Sequence, residues 1–465
     1  MFAAGEAPVK VIALRLENHW RRARRLTATY YAPWVLGVNR EATAPYVASE
    51  YEPGVHALLA HNPYSAEFAS EHAFLAASHA PHGLTADRTE FLGRMGDPRR
   101  PAGLTRVGLA GAVRAGQDAC AAIQLHIELE PGQVREIYFL LGQGADRDEA
   151  LRLVRAFDNP AAVEAEWTGV RSAWDERLGA VQVAPPDAAM DSLLNRWLVY
   201  QALSCRVWGR SALYQSSGAF GFRDQLQDAL ALLHAEPGVA RRHILRAAGH
   251  QFEEGDVLHW WHPPAGRGVR TRIADNLLWL PYVVAHYVEA SGDDGILDEK
   301  IPFLTGEALR PEEGERYGLF APTLESFTLY EHCRRALERG ATAGAHGLPL
   351  IGSGDWNDGM NRLGTGGQGE SVWLGWFAHA ALSRFAALSE RLGHVDEAKA
   401  HRERAEAYRL ALEATAWDGG WDRRAYDDGG RAVGSAQNDE WRLDSVAQSW
   451  AVISNAADRP RADRA

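Results

Sequence analysis

The sequence predicts a multi-domain β + α protein, in which an antiparallel β-sandwich precedes a helical barrel. Its 465 residues exceed the usual size of a single domain core. The first third is rich in β-branched and aromatic residues, as in the segment 26–38 with the sequence LTATYYAPWVLGV. From residue 187 onward, apolar residues recur at helical spacing between long loops that contain Gly, Trp, Asp and His.

Two strands are indicated near the end of the first domain. Apolar residues alternate with polar ones over 123–129 and again over 137–141, and Pro131 and Gly132 form a turn between them. This pattern is typical of a β-hairpin with one buried face.

A domain boundary is predicted at the sequence Asp158–Asn159–Pro160. The predicted domains are a β-sandwich at 1–158, a helical linker at 159–185 and a helical barrel at 186–465. Helices are predicted near 187–209, 223–234, 237–252, 274–291, 294–303, 324–340, 370–393, 395–417 and 442–455. The clearest helical stripe consists of Leu324, Phe327, Tyr330, Cys333 and Leu337.

The composition restricts the possible partners. A formal charge of −12 disfavours nucleic acids and anionic membrane surfaces, which both require a basic face. The 16 Trp residues suit either the apolar faces of sugar rings or core packing. Composition alone favours core packing as the role of these Trp residues.

The cysteines and the N-terminus indicate the compartment. The three Cys are far apart and lack zinc-ligand spacing, which favours a reducing compartment, the cytoplasm. The N-terminus lacks the apolar core of a signal peptide, and the apolar run 277–285 is about half the length of a membrane span. We therefore expect a cytoplasmic protein with no membrane segment.

Three loop segments contain candidate functional residues, and the first is 218–228, GAFGFRDQLQD. Arg223 offers a planar fork of donors, and the adjacent Asp224 can accept two hydroxyl hydrogens. Both residues are therefore candidates for sugar binding. The alternative is an ordinary helix start with an acidic residue in its first turn.

The second segment, 255–275, contains aromatic and basic residues. Trp260 and Trp261 could stack on sugar rings. Arg270 and Arg272 could contact a sugar or form structural ion pairs with Asp275, and the local pattern does not choose between these roles.

The same segment contains His259 and His262, three residues apart. A metal site is disfavoured, because no third ligand lies nearby and two prolines follow. The sequence thus predicts neither a metal nor a cofactor.

The third segment is 352–361, GSGDWNDGMN. Asp355 and Asp358 flank a Trp–Asn pair between glycines, which let a backbone approach a ligand closely. Trp356 can lower the local polarity and so raise the pKa of a neighbouring carboxyl group, as a general acid requires. The alternative is a plain turn, since Asn, Asp and Gly dominate turns.

Five ordered strings together resemble glycoside hydrolase family 94, in particular the phosphorylase-like C-terminal region of cyclic β-1,2-glucan synthases and the 1,2-β-oligoglucan phosphorylases. These strings are YQSSGAFGFRDQLQD, GHQFEEGDVLHWWHPPAGRGVRTRIADNLLWLP, GSGDWNDGMN, GESVWLGWF and LDSVAQSWAVIS. The N-terminal string RRLTATYYAPWVLGVNRE is similar to part of the family's β-sandwich.

The resemblance implies inverting phosphorolysis of β-linked, in particular β-1,2-linked, gluco-oligosaccharides to α-glucose 1-phosphate. The family's acid corresponds to Asp358, the Trp of its sugar subsite to Trp356, and its sugar-binding pair to Arg223 and Asp224. Inorganic phosphate is the co-substrate and nucleophile, so no catalytic base is needed. The implied partners are a β-glucan oligosaccharide and phosphate.

The chain departs from the family pattern in three ways. Asn276 stands where the family usually has a second Asp, and we expect a mild effect. The family's phosphate-binding string lies downstream of QSWAVIS, so phosphate-binding residues are expected beyond Ala465. The β-sandwich starts late, and nine helices are found where six helical hairpins need twelve. These departures predict truncation at both ends, an incomplete (α/α)6 barrel and little or no phosphorolytic activity of this chain alone.

Two other functions remain open at this stage. An inverting hydrolase would need a second carboxylate as base, and Asp355 is too close in sequence to Asp358 to be an obvious choice. The other possible function is that of a non-catalytic glucan-binding module within a larger cyclic β-1,2-glucan synthase. The chain could act as a homodimer or as part of such a synthase.

Overall fold

The computed structural model describes residues 1–209 and 218–464. The chain divides into two compact units, Met1–Glu176 and Arg177–Ala465. The helix Pro160–Gly179 contains the point of division, within the segment predicted as a helical linker. None of the helices in the described residues combines the length and apolar character needed to cross a membrane.

The first unit contains two antiparallel sheets. In spatial order, the six-stranded sheet consists of Phe2–Ala3, Val9–Glu17, Val134–Gly144, His72–Ala77, Ala57–His61 and Ala48–Glu52. The three-stranded sheet consists of Arg24–Pro33, Ala119–Leu129 and Gly83–Asp87. The helical segments of this unit are Arg40–Thr43, Ala44–Tyr46, Arg88–Leu92, Ala102–Thr105 and Arg147–Ala156. The predicted antiparallel sandwich is confirmed.

The predicted hairpin within the sandwich is wrong, although both of its strands exist. The strand Ala119–Leu129 pairs with Arg24–Pro33 in one sheet, and Val134–Gly144 pairs with Val9–Glu17 in the other. Their apolar faces, including Ile123 and Phe139, meet in one core between the two sheets. A period-two pattern specifies which face is buried but not which strand lies alongside, so the sequence could not exclude this connection.

The second unit is built mainly from antiparallel helices. Its longer helices are Phe222–Leu230, Pro237–Ala248, Asn276–Ser291, Leu329–Gly340, Val372–Arg391, Val395–Thr415 and Ser445–Ile453. Shorter helical segments are Ala188–Ser192, Leu193–Trp197, Leu198–Gln201, Ala202–Trp208, Asp294–Asp298, Asp358–Met360 and Arg459–Ala462. Their apolar faces form a common core around Trp279, Val283 and Phe377. Successive helices pair as inner and outer partners, as expected for an (α/α)6-type barrel.

Small sheets cover the ends of these helices. One sheet has the order Phe220–Gly221, Leu258–His262, Arg267–Thr271 and Glu315–Gly318. A second pairs Lys300–Thr305 with Ala321–Thr328, and a third contains Glu370–Ser371, Ala425–Tyr426 and Ala432–Val433. The second predicted loop segment is therefore largely a β-hairpin.

Two helix predictions are corrected by these sheets. The segment 294–303 is a short helical turn, Asp294–Asp298, followed by the strand Lys300–Thr305. The predicted helix 324–340 begins only at Leu329, because the side chain of Thr328 accepts a hydrogen bond from the Glu331 amide and caps the helix there. The preceding residues form the strand Ala321–Thr328, which places Leu324 on the surface.

Candidate functional site

The three predicted loop segments meet at the N-terminal ends of the helices of the second unit. Arg223 lies in the first turn of Phe222–Leu230, and Asp275 directly precedes Asn276–Ser291. Ser371 caps Val372–Arg391 by accepting a hydrogen bond from the Leu374 amide. The loop that carries Asp358 packs against these helix starts. Residues 214–217 of the first family-like string lie outside the described residues.

The loop that begins at Gly352 is attached to the second segment by its backbone. The amide of Ser353 donates to the carbonyl of Arg272 at 3.1 Å, and the amide of Ala274 donates to the carbonyl of Gly354 at 2.9 Å. Gly352 has a φ of 59°, and a Cβ there would lie 2.1 Å from the Arg272 carbonyl oxygen. The close approach of the two backbones therefore requires glycine at this position.

Arg223 connects three parts of the site. Its Nη1 donates to Asp275 Oδ1 at 3.0 Å and to the Asp355 carbonyl at 2.8 Å, while its Nη2 donates to Asp358 Oδ1 at 2.7 Å. The Arg223 side chain is only 8% exposed and that of Asp275 is fully buried. Burial raises the pKa of Asp275 to about 6, although the charge of Arg223 acts in the opposite direction.

The two aspartates of the third segment have opposite environments. Asp355 is fully buried, and its carboxylate accepts two hydrogen bonds from Arg424, one from the Ser371 hydroxyl at 2.6 Å and one from the Asn357 amide at 3.0 Å. The side chain of Asp358 is 55% exposed. Asp355, which the sequence offers as a candidate for substrate binding, is instead buried and anchors the loop. Asp358 is the carboxylate that a ligand can reach.

Arg424 was missed by the sequence analysis. It lies 69 residues from Asp355 in the chain, and its two Nη atoms are 2.7 and 2.6 Å from the two Asp355 carboxylate oxygens. Its position between Trp421 and Tyr426, in an aromatic stretch near the end of the chain, is the one signal in the sequence. That signal does not identify a partner.

Trp356, two residues before Asp358 in the loop, borders a small cavity. Its indole is 43% exposed, and Nε1 donates to Gln227 Oε1 at 3.2 Å. The cavity has a volume of about 180 Å³ and is lined by Gln227, Trp279, Trp356, Trp373, Ser445, Val446, Ser449 and Trp450. Indole walls with a few hydroxyl and amide groups suit a sugar ring.

Asp224 is half-exposed next to Arg223. One carboxylate oxygen lies 3.9 Å from Arg206 Nη2, and the side chain is 49% exposed. A Cβ at Gly221 would come within 1.9 Å of Asp224 Oδ2, so glycine is needed there for this placement. Asp224 lies in the first turn of the helix, as expected for an ordinary helix start with an acidic residue. Its carboxylate is nevertheless accessible to a ligand.

The two Trp residues of the second segment point to opposite faces of their strand. Trp261 is buried and stacks on His250 with ring centroids 3.7 Å apart. Trp260 is partly exposed and lies 5.7 Å from Tyr317, centroid to centroid. Burial removes the sugar-stacking face predicted for Trp261, because successive side chains of a strand alternate in direction.

Arg270 and Arg272 have structural partners. The buried Arg270 pairs with Asp256 and Glu254 and donates to two backbone carbonyls, so each guanidinium nitrogen has a protein acceptor. Arg272 donates to three carbonyls in the segment 309–313. Neither of them pairs with Asp275. Of the two roles that the sequence left open, these contacts support the structural one, with partners other than Asp275, and they explain the conformation of this hairpin.

His259 lies within the site, and His262 does not. His259 Nε2 is 3.8 Å from Asp358 Oδ2, and its Nδ1 is 2.9 Å from Asn276 Nδ2. His262 packs its ring against Trp260. Within residues 1–209 and 218–464, no group of three or more His, Cys, Asp or Glu side chains could hold a metal ion.

A buried arginine and carboxylate network near an indole-lined cavity, on an α/α barrel that follows a β-sandwich in the sequence, is typical of a carbohydrate-active enzyme. Residues 1–160 match the model of the glycosyl hydrolase 94 supersandwich domain, and residues 173–465 match that of the glycosyl hydrolase 94 superfamily catalytic domain. The chain therefore belongs to glycosyl hydrolase family 94.

Several relatives are similar to the chain. It is 45% identical to the cyclic beta-(1,2)-glucan synthase NdvB of Rhizobium meliloti, over 98% of this chain and 16% of that protein. It is 30% identical to solabiose phosphorylase of Paenibacillus borealis, over 99% of this chain and 57% of the relative. A 1,2-beta-oligoglucan phosphorylase of Listeria innocua is 26% identical over 44% of this chain and 19% of its own length. The chain thus spans less than two thirds of each relative.

Proposed function

We propose that the full-length protein carries out inverting phosphorolysis of β-linked gluco-oligosaccharides, with β-1,2 as the linkage and Asp358 of this chain as the proton donor. This proposal rests on the different exposures of the two aspartates in the loop, Asp355 and Asp358. Asp358 is accessible and lies two residues from Trp356, which borders a cavity suited to one sugar ring, whereas Asp355 is buried with four hydrogen-bond donors. The family supports a glycoside phosphorylase or transferase, and the synthase and oligoglucan phosphorylase relatives support the β-1,2 linkage.

The proposed reaction breaks one bond and forms another at the anomeric carbon. The carboxyl group of Asp358 gives its proton to the glycosidic oxygen as the C1–O bond breaks. An oxygen of inorganic phosphate attacks C1 from the opposite face, which yields α-glucose 1-phosphate and a shortened oligosaccharide. The carboxylate left on Asp358 is stabilised by Arg223, whose Nη2 lies 2.7 Å from its Oδ1.

The remaining residues hold the sugar in this scheme. Trp356 forms one wall of the sugar site, and Asp224 accepts hydroxyl hydrogens at its edge. Arg223 also contacts the sugar in this scheme. Its hydrogen bonds to Asp275 and to the Asp355 carbonyl hold the guanidinium in place. Phosphate is the co-substrate, and no cofactor is required.

The inverting hydrolase is disfavoured by the environment of Asp355. A hydrolase of this type needs a base carboxylate across the pocket, separated from the acid by about 6.5–9.5 Å to admit water. Asp355 accepts four hydrogen bonds and has no exposed surface, so it cannot activate water. Of the predicted site residues, Asp224 would be left for that task.

One assay separates the three candidate functions. The full-length protein is incubated with β-1,2-linked gluco-oligosaccharides with and without phosphate, and glucose and glucose 1-phosphate are measured. Phosphate-dependent release of glucose 1-phosphate is expected, whereas phosphate-independent release of glucose would establish a hydrolase. Calorimetric binding of the oligosaccharide with no turnover in either condition would support a glucan-binding module of a larger synthase.

A further inference from the structure

His259 occupies the site without a task in the reaction proposed above. It lies in the strand Leu258–His262, and its side chain is 14% exposed. One ring nitrogen, Nε2, faces Asp358 Oδ2 at 3.8 Å, and the other, Nδ1, lies 2.9 Å from Asn276 Nδ2. The ring therefore bridges the exposed aspartate and the first residue of the helix Asn276–Ser291.

The contact with Asn276 bears on where the ring carries its proton. With the Asn276 amide placed so that Nδ2 faces the ring and Oδ1 has no hydrogen-bond partner, Nδ2 donates and Nδ1 of His259 accepts with its lone pair. A neutral imidazole then carries its proton on Nε2, the atom that faces Asp358. Asn276 is buried and follows Asp275, which is held by Arg223, so the orientation of the ring depends on the same network as that of Asp358.

The groups around His259 favour an uncharged ring. The carboxylates of Asp358 and Asp224 raise the pKa of His259, and the guanidinium of Arg223 lowers it. Burial has the largest effect and brings the pKa of His259 below its ordinary value. A lowered pKa favours the neutral form of the ring.

We propose that His259 is a positioning residue for Asp358: held by Asn276 as a neutral ring protonated on Nε2, it presents an N–H to the carboxyl group without adding a positive charge. The proposal rests on the proposed function, in which Asp358 is the acid. A charged imidazolium would favour the carboxylate and deplete the proton that Asp358 must donate. A neutral N–H contacts Asp358 more weakly and stabilises the carboxylate after the proton has left. The 3.8 Å separation would shorten in the substrate complex.

The protonation of the ring can be measured without turnover. We expect ¹⁵N NMR of the chain with labelled histidine to show His259 as the neutral Nε2–H tautomer at pH 7. In Asn276→Asp, an ionised side chain can only accept, so the proton should appear on Nδ1. A wild-type ring protonated on Nδ1, with the Asn276 amide turned over, or an imidazolium at pH 7, would overturn the proposal.

The effect on Asp358 is tested with two substitutions of different chemistry. His259→Gln retains an N–H donor, whereas His259→Leu removes it. We expect ¹³C NMR titration of the Asp358 carboxyl group to give a wild-type pKa in His259→Gln and a pKa higher by about half to one unit in His259→Leu. Equal pKa values in all three proteins would leave His259 with a merely structural role and refute the inference.

These outcomes are distinct from failure of the proposed function. If Asp358→Asn retained turnover, the assignment of the acid would fail regardless of the state of the ring. If Asp358→Asn lost turnover while His259→Leu left the Asp358 pKa unchanged, the acid would stand and the role of His259 would fall.

Discussion

Arg424 and Asp355 form a buried ion pair in which both Nη atoms meet both carboxylate oxygens, at 2.7 and 2.6 Å. Both side chains are almost completely buried, at 1% and 0% exposure. This pair fixes the loop that carries Asp358 to a strand near the end of the chain, so the geometry of the site depends on a residue that touches no substrate.

Removing one member of this pair should destabilise the second unit strongly. We expect Arg424→Leu to lower the free energy of unfolding by about 3–5 kcal/mol, because it leaves the Asp355 carboxylate buried without its counter-ion. Arg431→Leu is the matched control, since Arg431 pairs with Asp427 on the surface and should cost less than about 1 kcal/mol. Urea denaturation measures the free energy of unfolding of both variants. Equal losses would show that the buried pair with Asp355 stabilises the protein no more than a surface pair.

Asp358→Asn should abolish turnover and preserve sugar binding. The amide keeps the shape and the acceptor for Arg223 but cannot donate a proton from a carboxyl group, so the rate should fall by about 10² to 10⁴. The exposed Asp439 provides the control, Asp439→Asn, which should retain the wild-type rate. Phosphate-dependent release of glucose 1-phosphate is the readout, with calorimetry for binding. A rate above about a tenth of wild type would move the acid elsewhere.

Arg223 and Asp224 should respond differently to truncation. Arg223→Ala leaves the buried Asp275 without its partner, so we expect a loss of about 3–5 kcal/mol in the free energy of unfolding as well as of activity. Asp224→Ala removes a half-exposed carboxylate and should cost little stability but about 2–4 kcal/mol in kcat/KM. Thermal melts and steady-state kinetics on both variants test this, and an equal loss of stability would contradict it.

Asp275 should make the second unit less stable as the pH rises. Its pKa is raised from 3.8 to about 6 by burial, so the protonated form is favoured in the folded state. Its contribution to stability is full below about pH 4 and is lost as the pH passes through about 6, for a total of up to about 3 kcal/mol.

The comparison with Asp275→Asn isolates this effect. The variant cannot ionise at this position, so its stability relative to wild type should rise between about pH 4 and pH 7. Urea denaturation at several pH values measures the difference. A difference that does not change with pH would mean that Asp275 is ionised throughout.

Sugar binding should depend on Trp356 more than on Trp260. Trp356 borders the indole-lined cavity, whereas Trp260 faces Tyr317, which lies two strands away in the same sheet. Loss of one stacking face should weaken binding of a β-1,2-linked oligosaccharide by about tenfold in Trp356→Ala. Calorimetry is the appropriate measurement, because the chain has 16 Trp residues that contribute to fluorescence. A larger effect in Trp260→Ala would place the sugar over the hairpin instead.

The sequence predicted the general architecture better than the neighbours of each element. Alternation over 123–129 and 137–141 identified two strands, but their partners lie in different sheets because the pattern records burial and not pairing. The helix near 324–340 was placed too early, since the capping hydroxyl of Thr328 outweighs the apolar periodicity that precedes it.

For the candidate site too, local sequence patterns identified important residues but not the contacts between distant ones. Arg223 and Asp358 were selected from separate segments, and the structure places them 2.7 Å apart. The contrast between Asp355 and Asp358 could not be predicted, because it depends on Arg424, and the burial of Trp261 depends on packing against His250. Contacts between residues far apart in the chain leave no trace in a local pattern.

The pairing of Asp355 with Arg424 also affects the order of events on the ribosome. The two residues are 69 positions apart, and at about 5–20 residues per second the later one is added some 3–14 seconds after the earlier one. During that interval the Asp355 carboxylate has no counter-ion and must remain hydrated. The loop around Asp358 therefore cannot reach its anchored form before Arg424 has been synthesised, so this part of the site matures later than the segment that carries Asp358.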